Sequence, residues 1–266
     1  MTGGIRIGAM ISGSGTNLKA IIDACTDGRI TGELAFVGSD NPEATGFKWA
    51  KALQIPTFVV DYGNIIQRYR EDAASLTLPA ADDIEAIMSR QRIFPSQSSR
   101  EKLNAFFTTR LVAEDRLLAR MSAYPFDLLV LAGFMRNLTP YFIDSINTDP
   151  IRPRIMNIHP ALLPAFPGVD GYGDTFRYGC TVGGCTVHFV DYGEDSGPII
   201  AQKAFEIRTD DTLEMVRKRG LALEWELYPR CIQLFAENRL RIEKVTHTLS
   251  GENQFTRTIV RVLSSD

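Results

Sequence analysis

The stretch that decides the fold is Phe126-Asp-Leu-Leu-Val-Leu-Ala132, which is followed by the turn Gly133-Phe-Met-Arg136. Such a nearly continuous apolar run is typical of a parallel strand that is covered on both faces. Helix-like segments, among them Ala44–Leu53, alternate with further strand-like runs at Ile5–Ile11, Leu34–Val37, Ile55–Val60 and Arg154–Ile158. This alternation predicts an α/β fold with a doubly wound, mostly parallel sheet.

The last third of the chain has a different rhythm. Thr186–Val190 and Pro198–Phe205 are predicted to form an antiparallel pair. Thr212–Phe235 is predicted to be a long amphipathic helix, with Asp210 or Asp211 near its N-terminal cap. Leu240–Val245 and Thr256–Val262 are predicted to form a terminal hairpin around residues 250–253.

We therefore divide the chain into a main domain over residues 1–240 and an antiparallel C-terminal β-hairpin extension over residues 241–266. Residues 61–120 interrupt the strand–helix rhythm with two charged, helix-like segments around a proline- and serine-containing stretch. We expect a helical insertion at the edge of the sheet. The proposed boundaries place every candidate site residue in the main domain.

Composition excludes several classes of function. A net charge of −3 and a pI near 5.7 provide no basic field for a nucleic acid. No apolar run approaches the ~20 residues that span a bilayer, and the N-terminus lacks the layout of a secretory signal. Four scattered cysteines do not make a disulfide scaffold. We expect a reduced cytoplasmic protein that acts on small molecules, with neither nucleic acid nor membrane as a partner.

The sequence Met156-Asn-Ile-His-Pro-Ala-Leu-Leu-Pro164 carries the strongest chemical signal. On a strand, Asn157 and His159 point to the same face, because side chains alternate with a period of two. Pro160 and Pro164 then end the regular structure. A hydrogen-bond donor and a titratable base therefore lie together at the carboxyl end of a strand, where open α/β sheets bind ligands.

A glycine-rich turn, Ser12-Gly-Ser-Gly-Thr-Asn17, joins the first strand to a helix. It is not a Walker A loop, because no Lys-Ser/Thr follows the second glycine. Leu18 stands where a dinucleotide fingerprint has its third glycine. The remaining interpretation is a cradle for a single phosphate at a helix N-terminus, and the alternative is a tight turn without a ligand.

Three acids, Asp191, Glu194 and Asp195, follow the predicted strand Thr186–Val190. One of them could orient His159, but spacing does not choose among them, and a solvated acidic loop is the alternative. Cys180 and Cys185, with His188, superficially suggest metal ligands. The alternation around Cys185 favours a plain strand instead, so we predict no metal site.

Together these segments resemble the phosphoribosylglycinamide formyltransferase family of folate-dependent enzymes. The resemblance covers residues 5–240 and rests on Ile11-Ser-Gly-Ser-Gly-Thr-Asn-Leu18, Leu131-Ala-Gly-Phe-Met-Arg136, Asn157-Ile-His-Pro-Ala-Leu-Leu-Pro164, Phe166-Pro-Gly168, Thr186-Val-His-Phe-Val190 and Asp195-Ser-Gly-Pro-Ile199. It implies a Rossmann-like formyltransferase fold with Asn157, His159 and Asp195 as the catalytic residues. It further implies a phosphate- and ribose-binding set of Gly13, Ser14, Gly15, Thr16, Asn17 and Glu224, and a folate-binding set of Met135, Arg136, Leu138 and Asp191.

The resemblance implies transfer of a formyl group from 10-formyltetrahydrofolate to the amine of 5′-phosphoribosylglycinamide in purine biosynthesis. Asn157 and a protonated His159 would stabilise the oxyanion. Asp195 would hold His159 in its charged form and pass a proton from the amine to the leaving group. Such a reaction needs no metal, and a homodimer is compatible with it.

Some positions depart from the family pattern. Val169–Arg177 is glycine-rich and a poor helix by propensity, where the family has an alanine-rich helix. Ala165 stands where a lysine is common, Asn137 replaces an aliphatic residue, and the 61–120 insertion is longer than usual.

Three alternative functions remain. A formyltetrahydrofolate hydrolase usually carries an N-terminal regulatory domain, whereas here the glycine loop begins within 15 residues of Met1. A sugar-amine N-formyltransferase would recognise a nucleotide-linked sugar. A catalytically dead folate- or nucleotide-binding module would not need the intact Asn157, His159 and Asp195.

Overall fold

The computed structural model describes residues 3–79, 84–248 and 254–264. Within these ranges, one seven-stranded sheet has the order β3-β2-β1-β4-β5-β6-β7. Its strands are β1 (Ile5–Ile11), β2 (Gly32–Ser39), β3 (Thr57–Val59), β4 (Leu128–Leu131), β5 (Ile155–His159), β6 (Val182–Phe189) and β7 (Ile199–Glu206). The strands β1 to β5 pair in parallel, and β6 and β7 are antiparallel additions. The predicted fold class is confirmed, although β3 is shorter than expected and β5 runs one residue further, to His159.

The helices cover both faces of this sheet. They are α1 (Thr16–Thr26), α2 (Phe47–Ala52), α3 (Tyr62–Glu71), α4 (Ile84–Arg90), α5 (Arg100–Met121), α6 (Pro140–Ile146), α7 (Gly171–Arg177) and α8 (Leu213–Ala236). In β4, Leu128 and Val130 pack towards α1, α2 and α8, while Leu129 and Leu131 pack towards α3, α5 and α6. This alternation accounts for the apolar run that the sequence shows there.

The insertion lies on a face of the sheet, so the expectation that it would sit at the edge was wrong. Its helices α3 and α5 bury Ile65, Val112 and Leu117 in the same cluster as Phe36 of β2 and Leu129 of β4. The reason is that α5 carries an apolar stripe on a long, otherwise charged helix, and burying this stripe against the sheet is favourable. Helix α4 adds a small separate cluster with α5, made of Ile87, Met88, Phe107 and Leu111.

Glu114 of α5 fastens the insertion to the start of α6. Its carboxylate accepts hydrogen bonds from the backbone N–H of Thr139, at 2.8 Å, and from the Thr139 hydroxyl, at 2.5 Å. Glu114 is fully buried. Burial raises the pKa of its carboxyl from 4.5 to about 7, against the opposing effect of the two hydrogen bonds and of Arg110. The carboxyl is thus half protonated near neutrality.

We expect Glu114→Gln to change how stability depends on pH. Because the folded pKa is raised from 4.5 to about 7, the protonated group's contribution is complete below pH 4.5 and is lost as pH rises through 7. Between these two pH limits, the contribution of Glu114 to the free energy of unfolding falls by about 3 kcal/mol. Urea unfolding at pH 5 and pH 8 should therefore show a steeper decline in the wild type than in Glu114→Gln. Equal declines would contradict this account, and Glu101→Gln, at an exposed position of the same helix, is the matched control.

Residues 171–177 form a helix, so the expectation of a poor helix at Val169–Arg177 was wrong. Packing overrides propensity here, because Tyr172 and Thr175 of this helix are buried. Glycine is required at Gly171, since a Cβ there would lie 2.6 Å from the backbone carbonyl oxygen of Pro160. At the N-terminus of α8, Thr212 is the cap, and Asp211 lies next to it, as predicted. Asp211 pairs with Arg219 at 2.7 Å.

The C-terminal extension is an antiparallel hairpin of β8 (Leu240–Thr248) and β9 (Gln254–Val262), as predicted, although both strands begin earlier or end later. Leu240, Ile242 and Val260 pack it against the main core. The predicted turn at residues 250–253 lies outside the described residues. Among the helices that the structure describes, none is long and apolar enough to cross a membrane.

Candidate active site

A cavity of about 500 Å³ opens at the carboxyl ends of β4 and β5. Most of the residues that the sequence analysis selected line this one cavity: Thr16, Asn17, Met135, Arg136, Leu138, Asn157, His159, Asp191, Asp195 and Glu224. Gly13, Ser14 and Gly15 do not form its wall, and they lie in the turn immediately before α1. The position matches the place where open α/β sheets bind ligands.

Asn157, His159 and Asp195 meet at the wall of the cavity. The strand β5 presents Asn157 and His159 on one side, and both contact the same carboxylate. His159 Nδ1 lies 3.1 Å from Asp195 Oδ2, and the Asn157 amide donates to Asp195 Oδ1 at 3.4 Å. His159 is buried, and its Nε2 donates to the carbonyl oxygen of Phe166 at 2.7 Å. The three side chains thus form one hydrogen-bonded group.

The structure distinguishes the three acids that spacing left open. Of the three, only Asp195 contacts His159, since Asp191 bonds within its own loop and to Arg92, and Glu194 accepts from Asn137. Burial alone raises the pKa of Asp195, but the neighbouring imidazoles of His188 and His159 and the N–H of Gly168 lower it overall. Asp195 therefore remains an anion beside His159 over the neutral pH range.

His188 is part of this group and was missed by the sequence analysis, which assigned it only to a strand. It lies opposite Asn157 in the β5–β6 register. His188 Nδ1 donates to the Phe189 carbonyl at 2.9 Å, and its Nε2 lies 3.3 Å from the Asn157 amide nitrogen. The same Nε2 lies 3.6 Å from Asp195 Oδ1. The strand register was the signal that could have identified it.

The glycine-rich turn is shaped by a close approach of two backbones. Gly15 has a φ of 66°, and a Cβ there would lie 2.9 Å from the Cα of Gly46. The Gly46 N–H donates to the carbonyl of Gly13 at 2.9 Å. Gly15 caps α1 without a side-chain hydrogen bond, and the first-turn N–H groups of a helix have no intrahelical acceptor. The turn and the start of α1 therefore have the form of an anion-binding site.

Glu224 of α8 is buried at the same end of the cavity. Its two carboxylate oxygens accept hydrogen bonds from Asn17 Nδ2 at 2.6 Å and from the Tyr172 hydroxyl at 2.7 Å. Burial raises the pKa of Glu224, and the two hydrogen bonds oppose this rise. Tyr172 was missed by the sequence analysis. A Cβ at Gly220 of α8 would overlap the Tyr172 ring, so the glycine in mid-helix makes room for it.

The loop after β4, with Met135 and Arg136, forms the other wall. Arg136 Nε donates to Asp40 Oδ2 at 2.5 Å, and the Ser12 hydroxyl donates to Asp40 Oδ1 at 2.5 Å. Ser12 in turn accepts from the N–H of Met135 at 2.8 Å. These bonds connect the loops that follow β1, β2 and β4. The loop is thus fixed while the Met135 side chain remains 56% exposed.

Comparison with known proteins shows the family to which the chain belongs. The profile of the formyl transferase family matches residues 5–232. The chain belongs to the formyl transferase family. It is 32% identical over 247 residues to the phosphoribosylglycinamide formyltransferase of Haemophilus influenzae, which covers 93% of this chain and 94% of that protein. The Bacillus subtilis protein of the same name is 32% identical over 228 residues, which cover 86% of this chain and 93% of that protein.

Solved structures agree with this assignment. The crystal structure of glycinamide ribonucleotide transformylase 1 from Symbiobacterium toebii superposes with a TM-score of 0.70 and 36% identity, covering 99% of this chain and 96% of that chain. The crystal structure of phosphoribosylglycinamide formyltransferase from Bacillus halodurans gives a TM-score of 0.65 at 31% identity and covers 86% of this chain and 94% of that chain. The formyltransferase described here thus shares the fold of these enzymes over nearly its whole length.

Two departures from the family pattern fall beside the formyltransferase's cavity. Asn137, which replaces an aliphatic residue, donates to Glu194 Oε1 at 3.2 Å and so links the loops after β4 and β6. In the segment 169–177, Asp170 pairs with Arg217 of α8 at 2.8 Å and with Arg177 at 2.9 Å. The pair with Arg217 fixes α7 against α8, next to the Tyr172–Glu224 hydrogen bond.

Proposed function

We propose that this formyltransferase transfers the formyl group of 10-formyltetrahydrofolate to the amine of 5′-phosphoribosylglycinamide. The observation that carries the proposal is the contact of Asp195 with both His159 and Asn157 in a cavity that also contains the start of α1. The names of the two relatives described above support the same acceptor and the same transferred group.

The acceptor's phosphate would bind at the glycine-rich turn and the first turn of α1. An anion is favoured there by free N–H groups and by the helix dipole. Glu224 would accept hydrogen bonds from the ribose hydroxyls. A carboxylate has about four lone-pair sites, so Glu224 can receive them in addition to Asn17 and Tyr172.

The folate donor would occupy the side of the cavity formed by the loops after β4 and β6. Met135 offers exposed apolar surface to a ring system, and Leu138 is buried behind it. Arg136 and Asp191 line the same region. Because loops fixed by hydrogen bonds lose less entropy on binding, the bond from Arg136 to Asp40 preorganises this wall.

In the reaction, the glycinamide nitrogen attacks the formyl carbon, and the carbonyl oxygen becomes an oxyanion. Asn157 and a protonated His159 would donate hydrogen bonds to it. The Asn157 amide nitrogen lies 3.3 Å from His188 Nε2 and 3.4 Å from Asp195 Oδ1. Both distances are longer than a usual hydrogen bond, so the amide can turn to the oxyanion at little cost. The formyl oxygen would replace or share the Phe166 carbonyl as the acceptor of the His159 Nε2–H.

Asp195 would complete the transfer by moving one proton. It takes the proton from the attacking amine, directly or through water, and a proton is returned to N10 of the folate as the C–N10 bond breaks. The charge of Asp195 also stabilises a protonated His159 at 3.1 Å. Hydrogen bonding and proton transfer by these three side chains account for every step.

Absorbance of a 10-formyl-folate analogue, with and without 5′-phosphoribosylglycinamide, tests the proposal. We expect deformylation only when the acceptor is present. Turnover without the acceptor would indicate a hydrolase, and no turnover in either mixture would indicate a binding module. Both of these results would contradict the proposed transfer.

We expect Tyr172→Phe to raise the KM for the acceptor roughly tenfold, because a hydrogen bond to a carboxylate contributes about 1.5–3 kcal/mol. Without the phenol, Glu224 loses one of its two fixed partners and is free to rotate away from the ribose. The value of kcat should stay within about twofold, since Tyr172 lies outside the reacting group. Steady-state kinetics with each substrate varied would measure this.

Tyr178→Phe is the matched control for that variant. Tyr178 ends the same helix and is 80% exposed, so its hydroxyl should have no effect on either KM. An unchanged acceptor KM in Tyr172→Phe would remove Glu224 from the proposed ribose site.

A further inference from the structure

The helical insertion contacts the loop that carries Asp195. The backbone N–H of Arg92 donates to the carbonyl of Tyr192 at 2.8 Å, and Arg92 forms a parallel bridge with Gly193. The Arg92 guanidinium also donates to Asp191 Oδ2 at 2.5 Å. The main chain and the side chain of Arg92 thus both bind the three-residue stretch 191–193 of the loop.

A second attachment lies two residues earlier in the insertion, at the end of α4. Arg90 pairs with Asp144 of α6 at 2.5 Å, and its guanidinium lies 5.7 Å from the centroid of the Tyr192 ring. The Tyr192 hydroxyl donates to the other oxygen of Asp144 at 2.5 Å. Arg90, Asp144 and Tyr192 therefore all contact one another, next to the start of the loop that carries Asp195.

The inserted residues that make these contacts are themselves held in place. The Gln91 side chain accepts hydrogen bonds from the N–H groups of Ile93 and Phe94, at 2.7 and 2.8 Å. The Phe94 ring packs on Phe106 of α5, with centroids 4.8 Å apart. We refer to residues Arg90–Phe94 as the strap.

We propose that the strap positions Asp195, through Asp191, for formyl transfer. Asp191 connects the two, because its Oδ1 accepts from the N–H of Gly193 at 3.1 Å and from the Ser196 hydroxyl at 2.6 Å while its Oδ2 binds Arg92. Asp191 therefore holds the turn from which the Asp195 side chain projects.

The backbone at Asp195 explains why such support is needed. Its φ of 48° lies in the left-handed region, which is strained for a residue other than glycine and persists only where the surroundings hold it. Arg90 and Arg92 do not line the cavity, whereas Asp191, Gly193, Glu194 and Asp195 do. The two arginines are thus positioning residues, and their effect should appear on the donor side of the cavity.

The double variant Arg90→Ala/Arg92→Ala tests the strap. Both ion pairs are largely exposed, so we expect the loss of either pair to change a kinetic constant by up to about fivefold. We expect the KM for the 10-formyl-folate donor to rise about three- to tenfold and kcat to fall by a similar factor. The KM for the acceptor should not change. Amide hydrogen exchange over residues 190–197 should become faster, while the midpoint of thermal unfolding shifts by only a few degrees.

Two further variants make the test specific. Arg29→Ala/Arg261→Ala removes two arginines from exposed ion pairs with Asp27 and Glu243, away from the loop, and should leave all these quantities unchanged. Arg90→Lys/Arg92→Lys keeps the charges. Its KM for the donor and its amide exchange over residues 190–197 should therefore lie close to the wild-type values.

The kinetic part of the test rests on the proposed function, whereas the exchange measurement does not. Wild-type exchange over residues 190–197 in the alanine variant would overturn the strap, whatever the enzyme does. A rise in acceptor KM equal to that in donor KM would also overturn it, because it would indicate a general loss of structure. If the wild type fails to transfer the formyl group while the alanine variant shows faster exchange, the proposed function fails and the structural role of the strap stands.

Discussion

Replacing Asp195 by asparagine is expected to lower kcat about 10³-fold, within the range that general acid–base catalysis contributes. Asparagine keeps the size of the side chain and can still accept from the Gly168 N–H, which donates at 2.9 Å. It cannot accept a proton from the amine, and it carries no charge to stabilise a protonated His159. Steady-state kinetics at saturating donor and acceptor would measure the loss.

The fold of Asp195→Asn should survive, and its acid sensitivity should change. Because the pKa of Asp195 is lowered below 3.8 in the folded protein, its carboxylate stabilises the fold above that pH. This contribution is lost as pH falls through the lowered pKa. Asp195→Asn has no carboxylate at this position, so its stability should fall less steeply than that of the wild type in acid. Asp27→Asn, which removes an exposed aspartate that also pairs with an arginine, should retain full activity. A kcat of Asp195→Asn near the wild-type value would exclude Asp195 from the chemistry.

His159→Ala is expected to lower kcat by about 10²–10³-fold, the usual loss when one preorganised donor to an oxyanion is removed. The substitution leaves Asp195 without its partner at 3.1 Å and opens space at a residue that is only 3% exposed. Added imidazole should enter this space and restore part of the turnover. His247→Ala, on the exposed face of β8, is the matched control and should behave like the wild type.

Unchanged kinetics in His159→Ala would contradict the assignment of the oxyanion donor. A loss of activity that comes with a lower unfolding midpoint, and without rescue by imidazole, would contradict it as well, since the role would then be structural.

The sheet could be predicted from the sequence because its signals are local. The apolar run Phe126–Ala132 and the alternation of strands and helices are read within short windows, and the parallel order follows from general topology rules. Helix α7 could not be predicted, since glycine propensity disfavours it and the compensating hydrogen bond of Tyr172 goes to Glu224 of another element. The face on which the insertion packs was missed for the same reason.

The site was partly predictable. Asn157 and His159 are two residues apart on a strand, so their shared face follows from strand geometry alone. The choice of Asp195 over Asp191 and Glu194 needed the loop conformation, since all three acids lie within one short loop. His188 required the β5–β6 register, and the bond of Tyr172 to Glu224 joins residues 52 positions apart. The strap contact of Arg92 with Asp191 spans 99 positions, so no local pattern could reveal it.

A crystal structure with 5′-phosphoribosylglycinamide and an unreactive analogue of the formyl donor would test the central claim most directly. We expect the formyl oxygen within hydrogen-bond distance of both Asn157 and His159, the amine nitrogen next to Asp195, and the phosphate on the turn at Gly13–Gly15. A formyl group bound in the cavity but beyond the reach of one water molecule from these three side chains would contradict the account.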